Sequence, residues 1–141
     1  SGAMAKIAND TPKYLGGLLT FYQASVRGLL QYAPVGVKFR CDDGEWQEIH
    51  KVNCFAVCNG KYFGGGMCVG PNASLSNGSL DITVWSGFGV LDFVLNSAAI
   101  YSGEHVKNPK TKTFRCTTVE VELPAGCECP IEIDGETPQG T

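Results

Sequence analysis

A chain of 141 residues with 43% apolar and 18% charged side chains can fill one hydrophobic core and is too apolar for disorder. Its 11 basic and 14 acidic residues leave a net charge of -3 with no basic patch, which argues against a nucleic-acid groove or a polybasic membrane anchor. No apolar run approaches the roughly 20 residues of a membrane-spanning helix, and no secretory signal is recognisable. Ser1-Gly2-Ala3-Met4 reads like an expression scar, which leaves residues 5–141 as one expected domain.

Thr11 and Pro12 supply an N-cap and a first-turn proline. Leu15, Leu18, Leu19, Tyr22, Val26, Leu29 and Leu30 then recur at helical spacing and predict an amphipathic helix ending near Gln31. From Val35 the period becomes two: Val35, Val37, Phe39 and Cys41 alternate with Gly36, Lys38 and Arg40, as in a half-buried strand. Asp42-Asp43-Gly44 supplies a turn, residues 45–50 a return strand, and residues 52–58 a mostly apolar central strand. Asn59-Gly60, Asn77-Gly78 and Asp134-Gly135 are further hairpin-type signals, the second leading into a strand over residues 80–85.

Residues 87–101 return to helical spacing through Val90, Leu91, Val94, Leu95, Ala98 and Tyr101, closed by Ser102-Gly103. This second helix is expected to pack on the sheet. Residues 113–123 alternate again, with a slip of register at Thr117-Thr118 that marks a bulge or a sheet crossing. Residues 129–133 make a last short strand. Several strands with two helices give a β-rich α+β domain, a β-sandwich or strongly curled sheet.

Seven cysteines cannot all pair, which disfavours a disulfide scaffold and fits a reducing cytosol. Zinc fits poorly: Cys54 and Cys58 are spaced C-x3-C, Cys127 and Cys129 C-x-C, and His50 and His105 show no ligand pattern. Three segments carry more chemistry. Asn59-Gly60-Lys61-Tyr62-Phe63-Gly64-Gly65-Gly66-Met67 places three glycines after an aromatic pair, at a high cost in chain entropy. It is either a tight sheet corner or a cleft wall whose bare backbone meets a ligand or a second domain. It is neither a P-loop nor a dinucleotide fingerprint. The segment 71–81 is a polar loop whose oxygens could hold a hard cation such as magnesium. Ile131-Glu132-Ile133-Asp134-Gly135-Glu136 sets carboxylates about a turn glycine, as an ordinary turn or as a general base.

Taken in order with Ser102-Gly103-Glu104-His105, these segments resemble the second domain of the diacylglycerol kinase catalytic superfamily. That family includes bacterial lipid kinases, sphingosine kinases and ceramide kinases. The resemblance runs from Leu15-Gly16-Gly17 to Glu136, and the N-G-x-Y-F-G-G-G-M stretch is its strongest part. It implies a β-sandwich that meets an N-terminal ATP-binding domain of the same polypeptide, a lipid substrate whose hydroxyl reaches ATP in the cleft, and Mg2+ on the phosphates. It further implies Glu136 as general base, Asp134 as its support, and a cleft lined by Asn59, Phe63, Gly64, Gly65, Gly66 and Met67. Ser74, Asn77 and Ser79 correspond to a magnesium-binding loop of some bacterial members, but a neutral amide at Asn77 is a weaker ligand than the acid usual there. No Gly-Gly-Asp-Gly segment occurs, so the ATP-binding domain is expected outside this chain and the chain alone is expected to be inactive. The implied location is cytoplasmic, with peripheral membrane contact. The alternative is a β-sandwich that binds lipid or a partner without catalysis.

Overall fold

Alternation turns one side of strand β1 (Val35–Cys41) inward, and Val37 and Phe39 are buried almost completely. The computed structural model describes Gln23, Arg27, residues 33–127 and residues 131–133. The expected first helix lies mostly outside these residues, although Gln23 and Arg27 are both helical. After β1 come β2 (Gln47–Cys58), β3 (Leu80–Ser86), helix α1 (Val90–Ser102), a single 3-10 turn (Glu104–Lys107), β4 (Thr111–Cys116) and β5 (Val119–Glu122). The strands form one antiparallel sheet in the order β4-β3-β2-β1-β5.

That order forces the sheet to fold over. β4 and β5 occupy its two edges, yet only Thr117 and Thr118 separate them. In a flat sheet four interstrand steps would put the edges about 19 Å apart. The three links from Cys116 to Val119 reach only about 10 Å. One leaf therefore pairs β5, β1 and the first half of β2, and the other pairs the second half of β2 with β3 and β4. The register slip read at Thr117-Thr118 is the crossing between leaves. The other crossing lies within β2. The two strands expected over residues 45–50 and 52–58 are one strand, irregular where Lys51 takes a positive φ of 55° and the register shifts between Val52 and Cys54. Ile49, Val52 and Phe55 all join the inner core at spacings of three, which regular alternation forbids and a bulge supplies.

Asp42 closes the first corner. Its Oδ1 accepts hydrogen bonds from the backbone N–H of Thr117 (2.9 Å) and Thr118 (2.9 Å) and from both hydroxyls (2.6 and 3.2 Å). Its own N–H donates to the Thr118 carbonyl at 2.8 Å. With φ of 51° Asp42 sits in the left-handed region that aspartate tolerates better than most residues.

Two cores share the strands. Inside the fold, Phe39 meets Phe55 and Phe114 edge-on, with centroids 5.3 and 4.9 Å apart, among Val37, Ile49, Ile82 and Val84. On the outer face Ala56, Cys58 and Trp85 pack beneath α1 and the loop after β2, against Met67, Val69, Phe88, Phe93 and Ile100. Helix α1 does pack on the sheet, but through Phe93 and Ile100. Four of the six positions read from the sequence face outward instead: Leu91 is 77% and Leu95 81% exposed, with Val94 and Ala98 beside them, whereas Val90 is half-buried and Tyr101 packs against the outer core. A helix apolar on nearly every side has no periodicity that decides which face wins. Here Phe93 and Ile100 fill the outer core, and Lys110 to Asp92 at 2.8 Å and Asn108 to Asn96 at 3.0 Å support that rotation.

The hydrogen bonds from Thr117 and Thr118 pull the Asp42 pKa from 3.8 down to about 2. The stability this contributes is complete above pH 3.8 and is lost as the pH falls toward 2. Asp42→Ala should lower Tm by several degrees at pH 7 and flatten the acid limb of a Tm-against-pH profile. Asp42→Asn keeps one acceptor and should fall between. An unchanged acid limb in Asp42→Ala would remove Asp42 from the closure.

Candidate functional site

The loop between β2 and β3 carries most of the residues read as functional, and the outer core anchors it. Met67, Val69 and Ala73 are buried. Cys68 N–H donates to the Ile100 carbonyl (3.1 Å), Gly70 N–H to the Lys61 carbonyl (3.2 Å), and the Thr83 hydroxyl to the Val69 carbonyl (2.8 Å). At Gly70 a Cβ would stand 2.7 Å from the Cys58 Cβ, so the loop crosses the end of β2 too closely for any side chain.

Between these anchors Phe63 and Met67 exchange backbone hydrogen bonds of 3.1 and 3.0 Å. The three glycines form the tip, with φ of 56°, 74° and 92° at Gly64, Gly65 and Gly66. Three successive left-handed residues explain the glycines, since each L side chain there would cost about 1–2 kcal/mol. The tip presents bare backbone, and Gly65 and Gly66 are exposed. Asn59 stands exposed at the end of β2. Tyr62 (65% exposed) and Phe63 (44%) flank the tip, and Leu75 (80%) leans over Gly60. Phe63 and the glycines thus share one tight turn, and Asn59 precedes it in the chain. Met67 is a correction: its side chain is 4% exposed and belongs to the outer core, so it anchors the tip and does not line a cleft.

The polar loop does not fit a magnesium site. Asn77 Oδ1 already accepts the Ser79 N–H at 3.0 Å, and Ser74 Oγ lies 3.3 Å from Ser76 Oγ. All three expected ligands are neutral. The nearby carboxylate, Asp81, takes Arg115 at 3.1 and 3.2 Å, while Arg115 also donates to the Asn72 carbonyl at 2.8 Å. Among the described residues no group of three or more His, Cys, Asp or Glu side chains could hold a metal ion. Asp134 and Glu136 lie outside the described residues. The segment leading to them passes near β2: Glu132, with burial and Cys58, helps push the Cys54 thiol up to about 12, burial being the largest cause.

His105 carried no ligand signal in the sequence, yet it is 1% exposed. It stands edge-on to Trp85, with centroids 5.6 Å apart. Its ring nitrogens face the Ala99 and Val69 carbonyls without well-formed hydrogen bonds. It thereby touches α1, β3 and the loop that carries the glycine tip. Only its place after Gly103 in the resemblance pointed to it. Burial lowers its pKa, and the two carbonyls oppose that shift.

Comparison with known proteins identifies this arrangement. Residues 1–140 match the model of the YegS C-terminal NAD kinase beta sandwich-like domain. The chain belongs to that family. A diacylglycerol kinase of Mycobacterium tuberculosis is 28% identical over 126 residues, covering 83% of the chain and 40% of the relative. A YegS-like candidate lipid kinase of Shewanella frigidimarina is 27% identical, covering 96% of the chain and 43% of the relative. The YegS-type domain thus spans less than half the length of these curated relatives. Its fold matches the crystal structure of a candidate diacylglycerol kinase from Bacillus anthracis, with TM-score 0.60 and 24% identity, over 82% of this chain and 39% of that one. A second such structure gives TM-score 0.57. No helix among the described residues of the YegS-type domain is long and apolar enough to cross a membrane.

Two outcomes test this site. Gly66 has a positive φ and open space around it, so Gly66→Ala should cost about 1–2 kcal/mol in urea unfolding, from conformation alone. A neutral result would contradict the left-handed tip. For His105 the folded pKa lies below the unfolded value of 6.5, so the unfolded chain takes the proton first. Its stabilising effect is present above pH 6.5 and is lost as acid carries the protein below it. His105→Gln should abolish this slope in Tm. An unchanged slope would place the titration elsewhere.

Proposed function

We propose that this domain forms the acceptor side of an ATP-dependent lipid kinase, in which a lipid hydroxyl attacks the γ-phosphate of ATP. Membership of the YegS family, with relatives named as a diacylglycerol kinase and a lipid kinase, supports the reading. The observation that carries it is the exposed glycine tip beside exposed Tyr62 and Phe63. A backbone free of side chains suits close approach to a phosphate-bearing partner domain. The adjoining aromatic surface suits an acceptor with an apolar body.

In this reading the remainder of a longer polypeptide supplies the ATP-binding domain. Glu136 takes the proton from the lipid hydroxyl as its oxygen bonds to phosphorus and the bond to the leaving ADP breaks. Asp134 orients Glu136, and Asn59 with the glycine tip lines the cleft. Magnesium bound with ATP would neutralise phosphate charge. The neutral loop of Ser74, Asn77 and Ser79 has no part in holding it. The acceptor class is a membrane lipid hydroxyl, such as that of diacylglycerol or sphingosine, met by peripheral contact at the cytoplasmic face of a membrane. The domain alone lacks the ATP side and is inactive.

The test is phosphate transfer from labelled ATP, with magnesium, by the full-length protein against a lipid panel. Transfer to one lipid class is expected, and Glu136→Ala should lower turnover at least about a hundredfold without unfolding the protein. Near-normal turnover would remove Glu136 from the chemistry. Transfer to no lipid by a folded protein that binds ATP would turn the reading to a lipid-binding module.

A further inference from the structure

The corner closed by Asp42 also brings two thiols together. Cys41 ends β1 and Cys116 ends β4. Each follows an inward phenylalanine by two residues, Phe39 in one strand and Phe114 in the other, so both side chains take the inner face. The two phenylalanine rings pack 4.9 Å apart. The next residues along each strand are the clasped ones: Asp42 bonds to Thr117 and Thr118. Cys116 is 3% exposed in the inner core, and partly buried Cys41 packs against that same core. Two thiols on the same inner face, on strands already fixed by five polar contacts at the same corner, are placed to join with little movement.

We propose that Cys41 and Cys116 form a reversible disulfide under a peroxide oxidant, a redox latch on the corner where the sheet crosses between its leaves. Cys41 is the more accessible thiol and reacts first. Its sulfur is oxidised to a sulfenic acid as the peroxide O–O bond breaks and one water leaves. The Cys116 sulfur then displaces the sulfenic oxygen as a second water, and the S–S bond forms. Two thiols and one hydrogen peroxide thus give one disulfide and two waters. The nearby Asp42 and Asp81 carboxylates add to burial and to Cys41 in holding the Cys116 thiol up to about 11. That makes Cys116 a slow attacker, so the latch closes under sustained oxidation and stays open in a reducing cytosol.

A closed latch would join residues 75 positions apart and restrict the unfolded chain accordingly. Nothing in this depends on the lipid kinase reading. The test is oxidation of the whole chain with hydrogen peroxide, then non-reducing peptide mapping and thermal unfolding with and without dithiothreitol. A linked Cys41–Cys116 peptide is expected, two hydrogen masses lighter than its parts. Tm should rise by several degrees on oxidation and return on reduction. Cys41→Ser should lose both effects. A map that leaves Cys41 alkylatable, or joins it to another cysteine, would overturn the pairing. A Cys41–Cys116 link that does not raise Tm would overturn the latch. The wild-type map decides the pairing even where Cys41→Ser fails to fold.

Discussion

One carboxylate oxygen holds the point at which the sheet closes. Five strands whose edges are joined by two residues cannot lie flat, and the chain must turn from one leaf to the other at Thr117-Thr118. A crossing leaves backbone N–H groups without ladder partners, because the strand is changing neighbours there. Asp42 Oδ1 takes both of them and both hydroxyls as well. The turn that reverses β1 into β2 thus also pins the far end of β4. The bulge in β2 completes the fold at the opposite corner. Without these two bends the phenylalanines of β1, β2 and β4 could not share one interior.

Folding the sheet leaves one outward face that must be covered, and that face determines the candidate site. Trp85, Cys58 and Ala56 need a lid; α1 and the loop after β2 supply it through Phe93, Ile100, Met67 and Val69. The loop is therefore rigid at both ends and bare at its tip. Met67 is the clearest case: its backbone bonds to Phe63 and its side chain is in the core, so it fixes the strained glycines in place. His105 binds the same layer together from beneath, between Trp85 and the carbonyls of Ala99 and Val69.

On the proposed lipid-kinase reading, the division between this domain and the rest of a longer polypeptide would follow a common economy of phosphoryl transfer. That chemistry needs positioning and charge stabilisation more than covalent participation, and two domains can share these tasks. On that reading, an unclothed backbone tip with exposed aromatics beside it would suit the acceptor side.

Much of this is legible in the sequence. Strand β1, the Asp-Asp-Gly turn, the central strand, the slip at Thr117-Thr118 and the glycine tip all rest on local rules of period and dihedral angle, and those rules act within a few residues. The resemblance carried the family for the same reason, because its motifs are local strings. Other features depend on residues far apart in the chain. Asp42 meeting Thr117 and Asp81 meeting Arg115 are contacts across the fold, and no spacing announces them. The buried face of α1 was misread at Leu91, Val94 and Leu95 because they are as apolar as Phe93 and Ile100; the fit of Phe93 and Ile100 into the outer core, with the ties to Lys110 and Asn108, chose between faces. Among the described residues, the sequence by itself determined where the strands and the helix after β3 lie, and it pointed to the family. Tertiary structure alone decided how the sheet closes, which way the helix turns and that Met67 is core, because each is set by partners many residues away.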